Sequence, residues 1–175
     1  GRGELTAVQA DPRGLEGAPT TSRYPKEIYY RIFAARYLPE TLERALYLDP
    51  DLVVNRPLDA LYNMPMGDAL FAAASHVKGL MQKMNELRLD MDESSPYINS
   101  GVLLMNLARL RREQNEADVF DYIEKHKNSL ILPDQDVISA LYGQRIIALD
   151  SYIYNMTERL FALPMPGDRR LTLDW

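Results

Sequence analysis

A chain of 175 residues with 46% apolar and 26% charged residues is long enough to bury a core and too apolar for a disordered tail. Its net charge of -5 does not suggest a nucleic-acid-binding surface, yet leaves phosphate ligands open, because a bound divalent cation brings positive charge of its own. Cysteine is absent, which excludes disulfides, thiolate zinc sites and thiol nucleophiles and fits a reducing cytoplasm.

No apolar run has the length of a membrane span. The start, Gly1-Arg2-Gly3-Glu4, is not a signal peptide and lacks an initiator methionine, so residues upstream are expected. Leu5 to Ala10 predicts a strand, and residues 11–22 a turn and loop. Pro25 opens a helix whose Ile28, Ile32, Phe33 and Tyr37 recur at core-facing spacing, and Pro39 ends it. Ala45 to Leu48 and Leu52 to Val54 are short apolar runs, and Ala69 to Ala74 predicts a strand. Val77, Leu80, Met81, Met84 and Leu87 form the apolar stripe of a predicted helix, with Lys78, Lys83 and Arg88 off the stripe. Asp90 to Ser95 reads as polar loop.

Val102 to Met105 predicts a strand, followed by a helix through Leu107 and Leu110. Asn115 is placed to cap a helix with Val119, Phe120 and Ile123 on its stripe. Asp134 to Tyr142 predicts a helix with Asp134 as its cap and Gly143 past its end, and Arg145 to Leu149 a strand. Residues 23–163 form the expected core of a single domain, 1–22 its lead-in, and 164–175 a loop. Strands alternating with helices predict an α/β fold with a mainly parallel sheet, whose ligands sit at the carboxyl ends of the strands.

Three Asp-x-Asp triplets occur: Asp49-Pro50-Asp51, Asp90-Met91-Asp92 and Asp134-Gln135-Asp136. Asp90 and Asp92 lie in a charged stretch and read as a solvated loop. Asp49 and Asp51 are flanked by apolar runs, where a carboxylate needs a partner. In extended backbone the two point to one side, and a hard divalent cation such as Mg²⁺ or Mn²⁺ relieves their repulsion. An ordinary Asp-Pro turn is the competing reading. Asn99-Ser100-Gly101 stands directly before a strand; the glycine suits close backbone approach to a ligand or a bulge, and Asn99 could donate to phosphate or sugar hydroxyls. His126, among lysines and glutamate, reads as solvated. His76 follows a strand and is either structural or close to a site. Arg31 is either a surface cation or a sugar or phosphate contact.

In order, Tyr24-Pro25-Lys26-Glu27-Ile28-Tyr29-Tyr30-Arg31, Leu46 through Asp49-Pro50-Asp51 to Val54, Tyr97-Ile98-Asn99-Ser100-Gly101 to Leu107, and Leu132-Pro133-Asp134-Gln135-Asp136 resemble the family-8 retaining glycosyltransferases, from about Leu5 onward. The resemblance implies a GT-A-like (Rossmann-like) fold, incomplete at both ends. It implies retaining transfer of glucose or galactose from a UDP-sugar to a saccharide acceptor, as in bacterial lipopolysaccharide biosynthesis, by a cytoplasmic enzyme peripheral to the inner membrane. Asp49 and Asp51 would bind Mn²⁺ (or Mg²⁺) at the donor diphosphate. Asn99 and Arg31 would contact the donor, and His76 falls where relatives often carry an acidic residue near the sugar. Asp134 and Gln135 would flank the sugar, with Gln135 close to the anomeric carbon; a glutamine amide is a poor nucleophile, which favours charge stabilisation in a front-side attack.

The family's His-x-x-Gly-x-x-Lys-Pro-Trp segment, with its third metal ligand, would come after Asp174-Trp175, and nothing before Leu5 matches the family's uridine-gripping segment. These 175 residues are therefore expected to be inactive alone. Two rival readings are a haloacid-dehalogenase-like phosphatase with Asp49 as nucleophile and a non-catalytic relative that binds partners.

Overall fold

The computed structural model describes residues 3–11, 13, 15–20, 24–77 and 79–156. A 3-10 helix, Lys26–Arg31, leads into α1 (Ala34–Tyr37) and β1 (Arg44–Leu48). There follow α2 (Asp59–Tyr62), β2 (Phe71–Ala74), α3 (Leu80–Leu89) and β3 (Val102–Asn106). Next come α4 (Leu107–Glu113), α5 (Glu116–His126), α6 (Pro133–Tyr142), a 3-10 turn (Gly143–Arg145) and β4 (Ile146–Leu149).

The four strands form one sheet in the order β1-β3-β2-β4. The α/β expectation holds, but the sheet is mixed. β1, β2 and β4 run in one direction, with β2 and β4 paired in parallel, and β3 lies antiparallel to both of its neighbours. Reversing β3 brings its start to the end where β1, β2 and β4 finish. Leu48 stands opposite Val102, so Asp49 just beyond β1 meets Gly101 just before β3, and the Asp49 N–H donates to the Gly101 carbonyl over 2.8 Å. The Asn99 N–H donates to the carbonyl of Ala74, the last residue of β2, over 2.7 Å. Two motif stretches far apart in the chain thereby share one end of the sheet.

Side-chain alternation along β2 and β3 separates two cores. Phe71, Ala73, Leu103 and Met105 join Tyr29, Ile32, Phe33, Leu107, Val119, Ile123, Val137 and Ile138 on the helical side. Ala72 and Leu104 face a smaller cluster with Met66. The Asn115 cap forms as expected, its side chain accepting from the Ala117 N–H, and Val119 and Ile123 are buried.

Several local expectations are overturned. Leu5 to Ala10 forms no strand; Leu5 is exposed and has no sheet partner to order it. The short apolar run Leu52 to Val54 joins neither strand nor core, with Val53 in solvent. The helix after Pro25 is a 3-10 segment joined to a single α turn. On α3 the apolar stripe faces outward: Leu80 is 76% and Leu87 84% exposed, and the helix is anchored instead by buried Leu89 and the polar side chains of Gln82 and Arg88. His126 is buried, stacked on Tyr122 at 4.2 Å. Residues 164–175 lie outside the described residues.

Candidate active site

Arg31 is the centre of the site. The fully buried Tyr29, whose hydroxyl donates to the Pro19 carbonyl over 2.9 Å, fixes the 3-10 helix, so Arg31 is held over the sheet end and is mostly buried rather than a surface cation. Its guanidinium lies 4.2 Å from the Tyr47 ring centre, stacked on the aromatic face. Nη1 lies 3.3 Å from Asp49 Oδ1 and 3.1 Å from Asp134 Oδ2. The same nitrogen donates to the Ser100 hydroxyl and carbonyl oxygens at 3.3 and 3.4 Å. One cation therefore ties together all four motif stretches.

Asp49 is reached from β1 itself. Tyr47, two residues earlier and on the same side of the strand, donates its hydroxyl to Asp49 Oδ1 over 2.7 Å. Burial first, and this hydrogen bond second, push the Tyr47 hydroxyl far above its usual pKa, so it remains a donor. Asp49 Oδ2 points at Gly101, where an added Cβ would stand 2.8 Å from it and 3.1 Å from Asn99 Oδ1. The glycine makes room for a carboxylate; neither a bulge nor a positive φ explains it. Among the described residues Oδ2 has no hydrogen-bond partner, and the neighbouring Asp51 is exposed. These are hard oxygen donors suited to a divalent cation that a diphosphate would complete. Two carboxylates alone would be an incomplete set for such an ion, and no group of three metal-binding side chains occurs among the described residues.

Asn99 Oδ1 accepts from the Gly101 N–H at 2.8 Å and from Asn155 Nδ2 at 2.5 Å, which leaves the Asn99 Nδ2 donor for a ligand. His76 meets the Asn155 backbone, while its Nε2 is buried without a partner among the described residues. Burial lowers its pKa, which favours the neutral imidazole.

The cap expected of Asp134 does not form. Leu132 is the cap position of α6 and Pro133 opens the helix, leaving Asp134 and Gln135 in the first turn. Asp134 is instead buried against Ser100, whose hydroxyl donates to Oδ2 over 2.5 Å. Its pKa is raised because burial outweighs Arg31 and the hydrogen bonds. The Gln135 Oε1 accepts from the Ser100 N–H at 3.3 Å and retains a second lone pair. Asp136 turns the other way, into a fully bonded knot with Arg88 and Tyr97. The middle triplet stays apart: Asp90 is exposed and paired with Lys125 at 3.1 Å.

The sequence marks neither Tyr47 nor Ser100 as functional. Tyr47 precedes Asp49 by the two-residue strand spacing, and Ser100 sits inside the Asn99-Ser100-Gly101 motif; those were the available signals.

The profile for "Glycosyl transferase family 8" matches residues 8–162. Lipopolysaccharide 1,2-glucosyltransferase of Escherichia coli is 28% identical over 141 residues, 79% of this chain and 41% of that protein. General stress protein A of Bacillus subtilis (strain 168) is 26% identical over 141 residues, 78% of this chain and 48% of that protein. Among solved structures, galactosyltransferase LgtC in complex with donor and acceptor sugar analogs superposes with a TM-score of 0.73 at 26% identity, covering 82% of this chain and 52% of that chain. The chain thus spans roughly two fifths to one half of these relatives. A phosphatase reading of Asp49 is displaced, since the matching profile takes in all four motif stretches. The chain belongs to glycosyl transferase family 8 and has its GT-A fold.

Proposed function

We propose that the full-length protein transfers a hexose, glucose or galactose, from a UDP-sugar to a saccharide acceptor with retention of anomeric configuration. The observation that carries this is Arg31 bridging Asp49 and Asp134, with Ser100 between them. It supports one pocket in which a donor diphosphate at Asp49 and a sugar at Asp134 and Gln135 are neighbours.

In this reading Asp49 and Asp51 would hold Mn²⁺ or Mg²⁺ at the donor diphosphate. Such an ion neutralises charge on the leaving nucleotide. Tyr47 and Arg31 hold Asp49 through Oδ1. Arg31 adds a fixed positive charge where the diphosphate and sugar meet. Asn99 Nδ2 donates to sugar or phosphate oxygens, and His76 is placed towards the sugar hydroxyls. The free lone pair of Gln135 Oε1 faces the positive charge that develops at the anomeric carbon during front-side attack. The relative named lipopolysaccharide 1,2-glucosyltransferase supports a lipopolysaccharide-type acceptor. No helix among the described residues is long and apolar enough to cross a membrane.

The direct test screens UDP-hexoses for Mn²⁺-dependent hydrolysis by the full-length protein, with Asp90→Ala as a control. Turnover of UDP-glucose or UDP-galactose, retained in Asp90→Ala, is expected. Hydrolysis of neither donor would overturn the proposal. Mn²⁺ and UDP failing to bind in calorimetry would favour the non-catalytic reading.

Gly101→Ala is a sharper probe. Its methyl group would meet the far end of the Asp49 side chain, which can swing away. Stability is expected to fall by less than about 1 kcal/mol, because no backbone must move. Turnover is expected to fall about tenfold or more, because the displaced group is the cation ligand. Thermal melting beside a hydrolysis assay separates the two effects; unchanged turnover would show that the position of Asp49 is unimportant.

A further inference from the structure

Asp136 is completely buried and accepts five hydrogen bonds. Arg88 grips it with both terminal nitrogens, Nη1 to Oδ2 and Nη2 to Oδ1, each at 2.8 Å. The Tyr97 hydroxyl donates to Oδ1 over 2.7 Å. The N–H groups of Ile131 and Leu132 donate to Oδ2 over 2.7 and 3.2 Å. Arg88 is held in turn by Asn85 Oδ1 and the Ser129 carbonyl. A bidentate guanidinium pair with every acceptor position engaged is rigid in orientation as well as in distance.

The knot lies one residue from Gln135 on α6 and two residues from Asn99 on the strand side. Successive helix residues point about 100° apart, so fixing Asp136 fixes the directions of Asp134 and Gln135. Tyr97 belongs to the stretch that carries Asn99 and Ser100, so its hydroxyl sets the spacing between that stretch and the helix start. Ile98 N–H donating to Ser139 Oγ at 3.0 Å is a second tie along the same seam. The Ser100 N–H contact to Gln135 Oε1 is by comparison long, at 3.3 Å, and does not hold the amide alone.

We propose that Arg88, Tyr97 and Asp136 act as one positioning unit that aims the Gln135 amide into the donor-sugar pocket. None of the three touches substrate. The proposal rests on the transferase reading for its consequence in catalysis, but its structural content stands apart from that reading. Loss of the Tyr97 hydroxyl leaves the ring and its packing in place while freeing the helix start by a fraction of an ångström. A displacement of about 1 Å in a reacting group costs about a hundredfold in rate.

The test uses Tyr97→Phe and Arg88→Lys in the full-length protein, because Asp136→Asn could fail to fold. The side-chain amide resonances of Gln135, assigned through their loss in Gln135→Ala, are expected to shift or broaden in both variants. In UDP-hexose hydrolysis kcat is expected to fall about tenfold to a hundredfold with KM within about twofold, Arg88→Lys keeping more activity than Arg88→Met. Gln135 resonances unchanged in Tyr97→Phe would overturn the positioning role, whatever the melting temperature does. An inactive wild-type protein would defeat the transferase reading and leave the amide measurement to decide the positioning role on its own.

Discussion

Arg31→Met is expected to cost about 3–5 kcal/mol of stability at neutral pH, the penalty of leaving a buried carboxylate without its counterion. The carboxylate is Asp134, 2% exposed, with Arg31 at 3.1 Å. Methionine keeps much of the length and still packs on Tyr47, so the loss reports charge. Asp134 already has a folded-state pKa above its unfolded value, burial being the largest cause and Arg31 the largest opposing influence. Removing Arg31 raises it further. For an acid shifted upward, stability is intact below the unfolded value of 3.8 and is withdrawn as pH climbs through the folded value. The deficit of Arg31→Met is therefore smaller at about pH 5 than at about pH 7, which urea midpoints at the two pH values will show. Equal deficits would mean that Arg31 acts through packing on the Tyr47 ring.

Asp49→Ala is expected to lower Mn²⁺-dependent UDP-hexose hydrolysis by about three orders of magnitude or more, since a cation at the leaving group is worth several kcal/mol of transition-state charge stabilisation. Its folding cost is small by comparison. The Asp49 side chain is 32% exposed, and its removal leaves Arg31 paired with Asp134. Steady-state hydrolysis over a range of Mn²⁺ concentrations, with thermal melting as control, checks both halves. Undiminished hydrolysis would remove Asp49 from the cation site and with it the assignment of the first triplet.

What was legible in the sequence was local. Asp49 between apolar runs left a metal ligand and an Asp-Pro turn open, Gly101 before a strand left a bulge and a close approach open, and Asn115 announced a helix start. The Asn115 cap forms, because it depends on neighbours a few residues away, whereas the group that comes close to Gly101 is the Asp49 carboxylate from a distant part of the chain. Contacts across long stretches of chain were not legible. Arg88, off the stripe of a predicted surface helix, is tied to Asp136 forty-eight residues later. That tie draws the polar side of α3 inward and leaves Leu80 and Leu87 outside. The reversed direction of β3 is likewise a matter of topology, since an apolar run has the same composition either way. His126 shows the same limit: its charged neighbours suggested solvent, whereas stacking on Tyr122 one helical turn earlier buries it.

The stacking of Arg31 on Tyr47 has a consequence for the order of events. A cation pinned on a ring cannot follow an incoming ligand, so its charge is already spent between Asp49 and Asp134. Three carboxylates, Asp49, Asp51 and Asp134, stand against the one guanidinium of Arg31, which leaves the site a negative surplus. A bare nucleotide diphosphate would approach against that surplus, whereas the same nucleotide arriving as its metal chelate would be welcomed.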